Sequence, residues 1–225
     1  MRKALTQNLV LLILFTGLFF ITRQSAFAQN FQKWEPDIAA FEQANKSKAP
    51  PKGHIVFTGS SSIRLWENLP MYFPDKKILN RGFGGSQTDE VVYFANRLIT
   101  PYKPKQVVIY SGDNDLAAGK TPEKVLEDFK ALFHKIREER KKATITFISI
   151  KPSPSRKHIR PQISQTNALI QAFLEQQKRT SYVDVFTPML LPNGKPKPEL
   201  FRPDSLHMTK AGYDIWAEVL KPYLK

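Results

Sequence analysis

The chain contains no cysteine, which excludes disulfides, thiolate catalysis, cysteine-rich zinc sites and the thiol through which a lipoprotein is anchored. A run of bilayer-spanning length is also missing. The apolar stretch Leu9 to Ile21, broken only by Thr16 and Gly17, holds 13 residues, against the ~20 that a membrane-crossing helix needs. No internal repeat or low-complexity tract is visible, and at 225 residues one ordinary domain is the expectation. Lysines and arginines are plentiful but scattered, as in Lys135 to Lys142, and are not interleaved with aromatic residues as in a base-stacking platform. A nucleic-acid partner is therefore not expected.

What is present begins with an export signal. Arg2 and Lys3 form a positive n-region, the short apolar stretch follows, and Ala26-Phe27-Ala28 supplies a small-x-small cleavage site. The reading is a signal peptide over residues 1–28, a mature protein starting at Gln29, and a periplasmic or secreted location; a retained membrane anchor is the competing reading. The formal net charge of +14 drops to +11 once Arg2, Lys3 and Arg23 leave with the signal. A surface this basic reads as a solvated face, or as one drawn to anionic envelope polymers or lipid headgroups.

With 41% hydrophobic and 24% charged residues the composition is globular. Phe31 to Lys46 has helical periodicity, with Trp34, Ile38 and Phe41 on one face, and Pro50-Pro51-Lys52-Gly53 ends it. Beyond it, apolar runs at His54 to Thr58, Lys77 to Asn80, Gln106 to Tyr110, Thr144 to Ile150 and Tyr182 to Val185 read as strands. Helix-period segments at Thr88 to Ile99, Pro122 to Lys141, Gln162 to Lys178 and Thr209 to Leu220 lie between or after them. This alternation predicts an α/β fold with a mostly parallel five-stranded sheet covered by helices on both faces. The irregular stretch Thr187 to Pro203, with its Asn193-Gly194 turn signal, is long enough to form a binding wall.

In such sheets the loops at the carboxyl ends of the strands gather at one edge, where ligands bind. Gly59-Ser60-Ser61, Gly82-Phe83-Gly84-Gly85 and Gly112-Asp113-Asn114-Asp115 each follow a strand, and Asp204-Ser205-Leu206-His207 precedes the last helix. Ser60, Ser61 and Ser62 are candidate nucleophiles, although alone they could be a helix cap with spare hydroxyls. His207 changes that balance: an imidazole can take a serine proton and return it to a leaving alcohol, and Asp204 is close enough to orient it. His54 and His134, with no acid at the corresponding upstream position, read as structural. Donors for a tetrahedral oxyanion, typically ~2.7–4 kcal/mol each, could come from the Gly85 N–H, the Asn114 amide and the Ser61 N–H. Competing readings remain for two segments. The glycines could cradle a phosphate, though a dinucleotide fingerprint would need glycine where Gln87 stands. Asp113 and Asp115 could face a metal, though without calcium-loop spacing.

Together, these four segments resemble the blocks of the SGNH hydrolases, also called the GDSL esterase/lipase family, in the family's order from Gly59 to His207. Asn80-Arg81-Gly82-Phe83-Gly84-Gly85 looks closest to the branch containing the platelet-activating-factor acetylhydrolase subunits and bacterial acetylesterases. The resemblance implies a flavodoxin-like three-layer α/β/α sandwich over residues 29–225 and ester hydrolysis without a metal or other cofactor. It also implies Ser61 as nucleophile, Asp204 and His207 as its partners, and Ser61, Gly85 and Asn114 as the oxyanion hole. Ser60 departs from the family, which has aspartate before the nucleophile; counting from Gly59 favours Ser61, with Ser62 next. The other common serine-hydrolase signature fails, because Ile63 stands where it needs glycine. For a basic exported enzyme the expected substrate is a small-molecule or polysaccharide ester with a small acyl group such as acetyl, and the net charge favours acidic polymers. Lysophospholipase or thioesterase activity, or non-catalytic binding of carbohydrate or envelope, are the alternatives. Oligomeric state is not readable.

Overall fold

The computed structural model describes residues 31–47, 49–50 and 52–225. The export-signal reading falls outside them. The chain divides into two units, Met1–Pro36 and Asp37–Lys225. Of the first, the described part is a 3-10 turn, Gln32–Trp34, and the start of helix α1, Glu35–Ser47.

The second unit is built on five strands: β1 Ile55–Gly59, β2 Ile78–Gly82, β3 Gln106–Tyr110, β4 Thr144–Ile148 and β5 Thr180–Val183. All pair in parallel, in the order β2-β1-β3-β4-β5. Between and after them run α2 Ser61–Arg64, α3 Leu69–Tyr72, α4 Thr88–Leu98, α5 Asp113–Ala117, α6 Pro122–Glu139, α7 Arg160–Glu175 and α8 Lys210–Leu220. Every residue of β1 and β3 is buried, as continuous apolar strands covered on both faces must be. On one face Phe57, Val108, Tyr110 and Ile148 pack with Trp66, Tyr213 and Trp216, so α8 and the turn after β1 share a core. On the other, Phe147 meets Phe129 of α6 at 5.1 Å between ring centroids, and α6 packs against both α4 and α7. The result is a three-layer α/β/α sandwich. Among the described residues no helix is long and apolar enough to cross a membrane.

The strands sit where the sequence places them, with end shifts that have local causes. β4 stops at Ile148, two residues early, because the N–H and carbonyl of Ile150 bond the Asn167 side chain at 2.8 and 3.0 Å instead of a neighbouring strand. β5 runs from Thr180 to Val183 because Asp184 Oδ1 accepts the N–H groups of Phe186 and Thr187 and turns the chain. α7 starts two residues early, at Arg160; Pro161 in its first turn fits there because the missing N–H would have had no helical partner.

Candidate active site

β1 ends in a corner that only glycine allows. Gly59 has φ +121°, and a methyl group there would lie 1.8 Å from the Tyr110 carbonyl oxygen of the neighbouring strand. The chain turns directly into α2, which brings Ser61 to its first position. Gly82 makes room for that helix, since a methyl there would stand 2.5 Å from the Arg64 nitrogen. The three serines then diverge. Ser60 occupies the helix cap position but makes no side-chain capping bond, and it is buried. Ser62 is buried too, its Oγ accepting from Lys151 Nζ at 3.1 Å and its carbonyl from the Tyr213 hydroxyl at 2.9 Å. Ser61 Oγ alone of the three meets His207, at 3.0 Å from Nε2.

His207 is held by a compact turn. Asp204 Oδ1 accepts the N–H groups of Leu206 and His207, each at 2.9 Å, while Oδ2 lies 2.6 Å from His207 Nδ1. Ser205 closes the turn in the left-handed region at φ +56°. A small ladder anchors its ends: the Arg202 N–H donates to the His207 carbonyl at 2.7 Å, and Phe201 bridges Met208. Desolvation raises the Asp204 pKa, but hydrogen bonds from the His207 ring and from the Leu206 and His207 amides outweigh it and bring the carboxyl to about 2. The carboxylate therefore accepts the proton on Nδ1, which leaves the Nε2 lone pair facing the Ser61 hydroxyl.

Gly85 and Asn114 face each other: a methyl at Gly85 would stand 3.7 Å from the Asn114 amide nitrogen. That amide donates to the Ser86 carbonyl at 3.1 Å. The phosphate-cradle reading meets a different arrangement, because the start of α4 already has an anion. Asp115 accepts from the Thr88 N–H at 3.0 and 3.1 Å, and Glu90 closes a capping box on Gln87. Asp115 also pairs with Lys120 at 2.9 Å, and Asp113 with Lys151 and Arg156, each at 3.1 Å. Both carboxylates thus face protein cations. Among the described residues no group of three or more His, Asp or Glu side chains could hold a metal. His54 immediately precedes β1, and His134 and His158 are exposed on α6 and in the 3-10 turn Pro154–Ile159.

One buried cluster behind the site was not singled out from the sequence. Lys151, 1% exposed, lies just beyond β4 with its ammonium 3.1 Å from each of the Ser62 hydroxyl, the Tyr110 hydroxyl and Asp113 Oδ2. Desolvation would lower its pKa, but Tyr110 and Asp113 hold it above the ordinary lysine value. Burial pushes the Tyr110 hydroxyl up to about 12. The available signal was a lysine directly after the apolar run Thr144 to Ile150, followed by Pro152.

The chain belongs to the GDSL-like lipase/acylhydrolase family, whose sequence profile matches residues 56–215. It is an acylhydrolase of the esterase type. Among solved structures it is similar to a Streptococcus pneumonia protein provisionally described as a platelet activating factor, with 20% identity over 89% of this chain and 97% of that one and a TM-score of 0.77. A GDSL-like lipase from Bacteroides thetaiotaomicron shares 22% identity over 83% and 96% of the two chains, with a TM-score of 0.72. A Clostridium thermocellum family 3 carbohydrate esterase shares 17% over 76% and 97%, with a TM-score of 0.59. At these identities the likeness is one of fold. No curated protein sequence matches the chain.

Proposed function

We propose that this acylhydrolase is an exported serine esterase that removes small acyl groups, acetyl above all, from carbohydrate. The observation that carries the mechanism is the hydrogen-bonded line from Asp204 through His207 to Ser61, at 2.6 and 3.0 Å. Ser61 Oγ attacks the ester carbonyl carbon as its proton passes to His207 Nε2, and Asp204 stabilises the imidazolium. The oxyanion takes hydrogen bonds from the N–H groups of Ser61 and Gly85 and from the Asn114 amide. Collapse of the intermediate breaks the bond to the alcohol oxygen, which receives the proton from His207. Water, deprotonated by the same imidazole, then releases the acid and restores Ser61.

One observation supports the choice of alcohol: a carbohydrate esterase is among the proteins of the same fold.

Activity on aryl esters of increasing acyl length, with fluorophosphonate labelling, tests the proposal. Ser61→Ala should lose labelling and about 10⁴-fold or more in kcat, whereas Ser62→Ala should still label. Labelling that survives Ser61→Ala would overturn the nucleophile, and a rate that rises with chain length would move the substrate to lysophospholipid or thioester.

A further inference from the structure

A cavity of about 360 Å³ borders the turn that holds His207. Ser205, between Asp204 and His207, forms part of its wall, with Arg202 just before the turn. The Ser205 and His207 Cα atoms are at most about 7 Å apart, so the cavity adjoins the turn that carries the imidazole.

Its lining is one-sided. Lys157, Arg160, Lys195 and Arg202 converge on it and no carboxylate lines it. Two of these cations are fixed in place. Arg160 donates to the Gly194 carbonyl and lies over the Phe186 ring, 5.7 Å from its centroid, and Arg202 Nε donates to the Met208 carbonyl at 3.0 Å. Each guanidinium has five N–H donors in a rigid fork, so most remain available. Arg202 has one acidic neighbour, Glu67, at 3.6 Å with its side chain 80% exposed, too open to neutralise it. Lys157 and Lys195 have no carboxylate partner among the described residues, and both are exposed. Ser153 also lines the cavity; it is 2% exposed, and its hydroxyl has no hydrogen-bond partner among the described residues. Pro196 and Phe201 add flat apolar surface. Four gathered cations repel one another, and a bound anion relieves that repulsion.

We propose that this cavity is an anion subsite of the esterase, which receives a carboxylate or phosphate on the alcohol portion of the substrate while the neighbouring ester reaches Ser61. The proposal rests on the acylhydrolase reading of Ser61, Asp204 and His207. Its consequence is a preference for acyl esters of acidic sugars over those of neutral ones.

The test compares kcat/KM on three acetylated methyl glycosides: a neutral hexoside, the corresponding uronoside and the corresponding 6-phosphate. It uses the wild-type protein and the Lys157→Gln/Lys195→Gln variant, whose changes are exposed. The wild type should favour an anionic ester over the neutral one by about tenfold at low salt and by less at 1 M salt, where the Debye length is only about 3 Å. The double variant should cut that ratio by about fivefold. The anionic ester with the larger ratio names the source of the charge. A wild-type ratio near one, or a ratio that the double variant leaves unmoved, would overturn the subsite. Calorimetric titration of the Ser61→Ala protein with the same uronoside and 6-phosphate separates this inference from its premise. Binding of either, weakened by the lysine changes, supports the subsite even if no ester is turned over, and binding of neither overturns it.

Discussion

Lys151 shows how a single residue can support a site it does not enter. Its ammonium holds Ser62, the neighbour of Ser61, and answers the Asp113 carboxylate in a region closed to water. Burying that charge is costly, and the cost is met only while all three partners stay in place. Lys151→Met keeps much of the volume but leaves Asp113 with Arg156, itself partly open to solvent, as its one cation, beside the Tyr110 hydroxyl at 3.4 Å. Urea denaturation should show a loss of about 3–5 kcal/mol. The combined Lys151→Met/Asp113→Leu change should recover part of it, because no buried charge would then lack its partner. If the single variant were as stable as the wild type, the pair would have no structural role.

At the scale of the element, the β1–α2 corner depends on one backbone position. Gly59→Ala sets a methyl against the Tyr110 carbonyl, so β1 and β3 must separate or the corner must shift. A stability loss of about 1–3 kcal/mol is expected, as for an overpacked core, and activity should fall further than stability because Ser61 would move away from His207. A fully active variant would show that the corner tolerates a side chain. Most of this scale was legible in the sequence. Apolar runs located all five strands within a few residues, most plainly β1 and β3, whose residues are all buried. Gly59 marked the corner, and the four loop motifs brought Ser61, Gly85, Asn114, Asp204 and His207 to one edge. Less was legible wherever a side chain replaces a backbone partner, as when Asn167 ends β4 or Asp184 ends β5. Counting from Gly59 favoured Ser61 over Ser62, but the contact with His207 turns on side-chain direction within one helical turn. The Lys151 cluster draws on α2, the end of β3, α5 and the segment after β4, and the basic cavity on Ser153 to Arg160 and on Lys195 to Ser205, so neither leaves a local pattern.

At the scale of the whole molecule, the proposed export accounts for the charge. The strong positive charge would suit a protein working among anionic polymers, and the absence of cysteine means that packing, with no disulfide, holds the fold. Signal cleavage predicts that mass spectrometry of the protein recovered outside the cytoplasm finds a chain starting at Gln29, as glutamine or its pyroglutamate. An intact Met1 on a membrane-bound product would overturn cleavage.

The two halves of the His207 hydrogen-bond line differ in what they ask of a folding chain. Asp204 and His207 meet across three residues, within a turn that can close early and cheaply. Ser61 and His207 meet across 146, after both β1 and the α8 region have found their places. Loop-closure entropy makes contacts of that separation slow to form. Regain of esterase activity during refolding is therefore a clock for one of the chain's most distant contacts, and it should lag behind the return of helical circular dichroism.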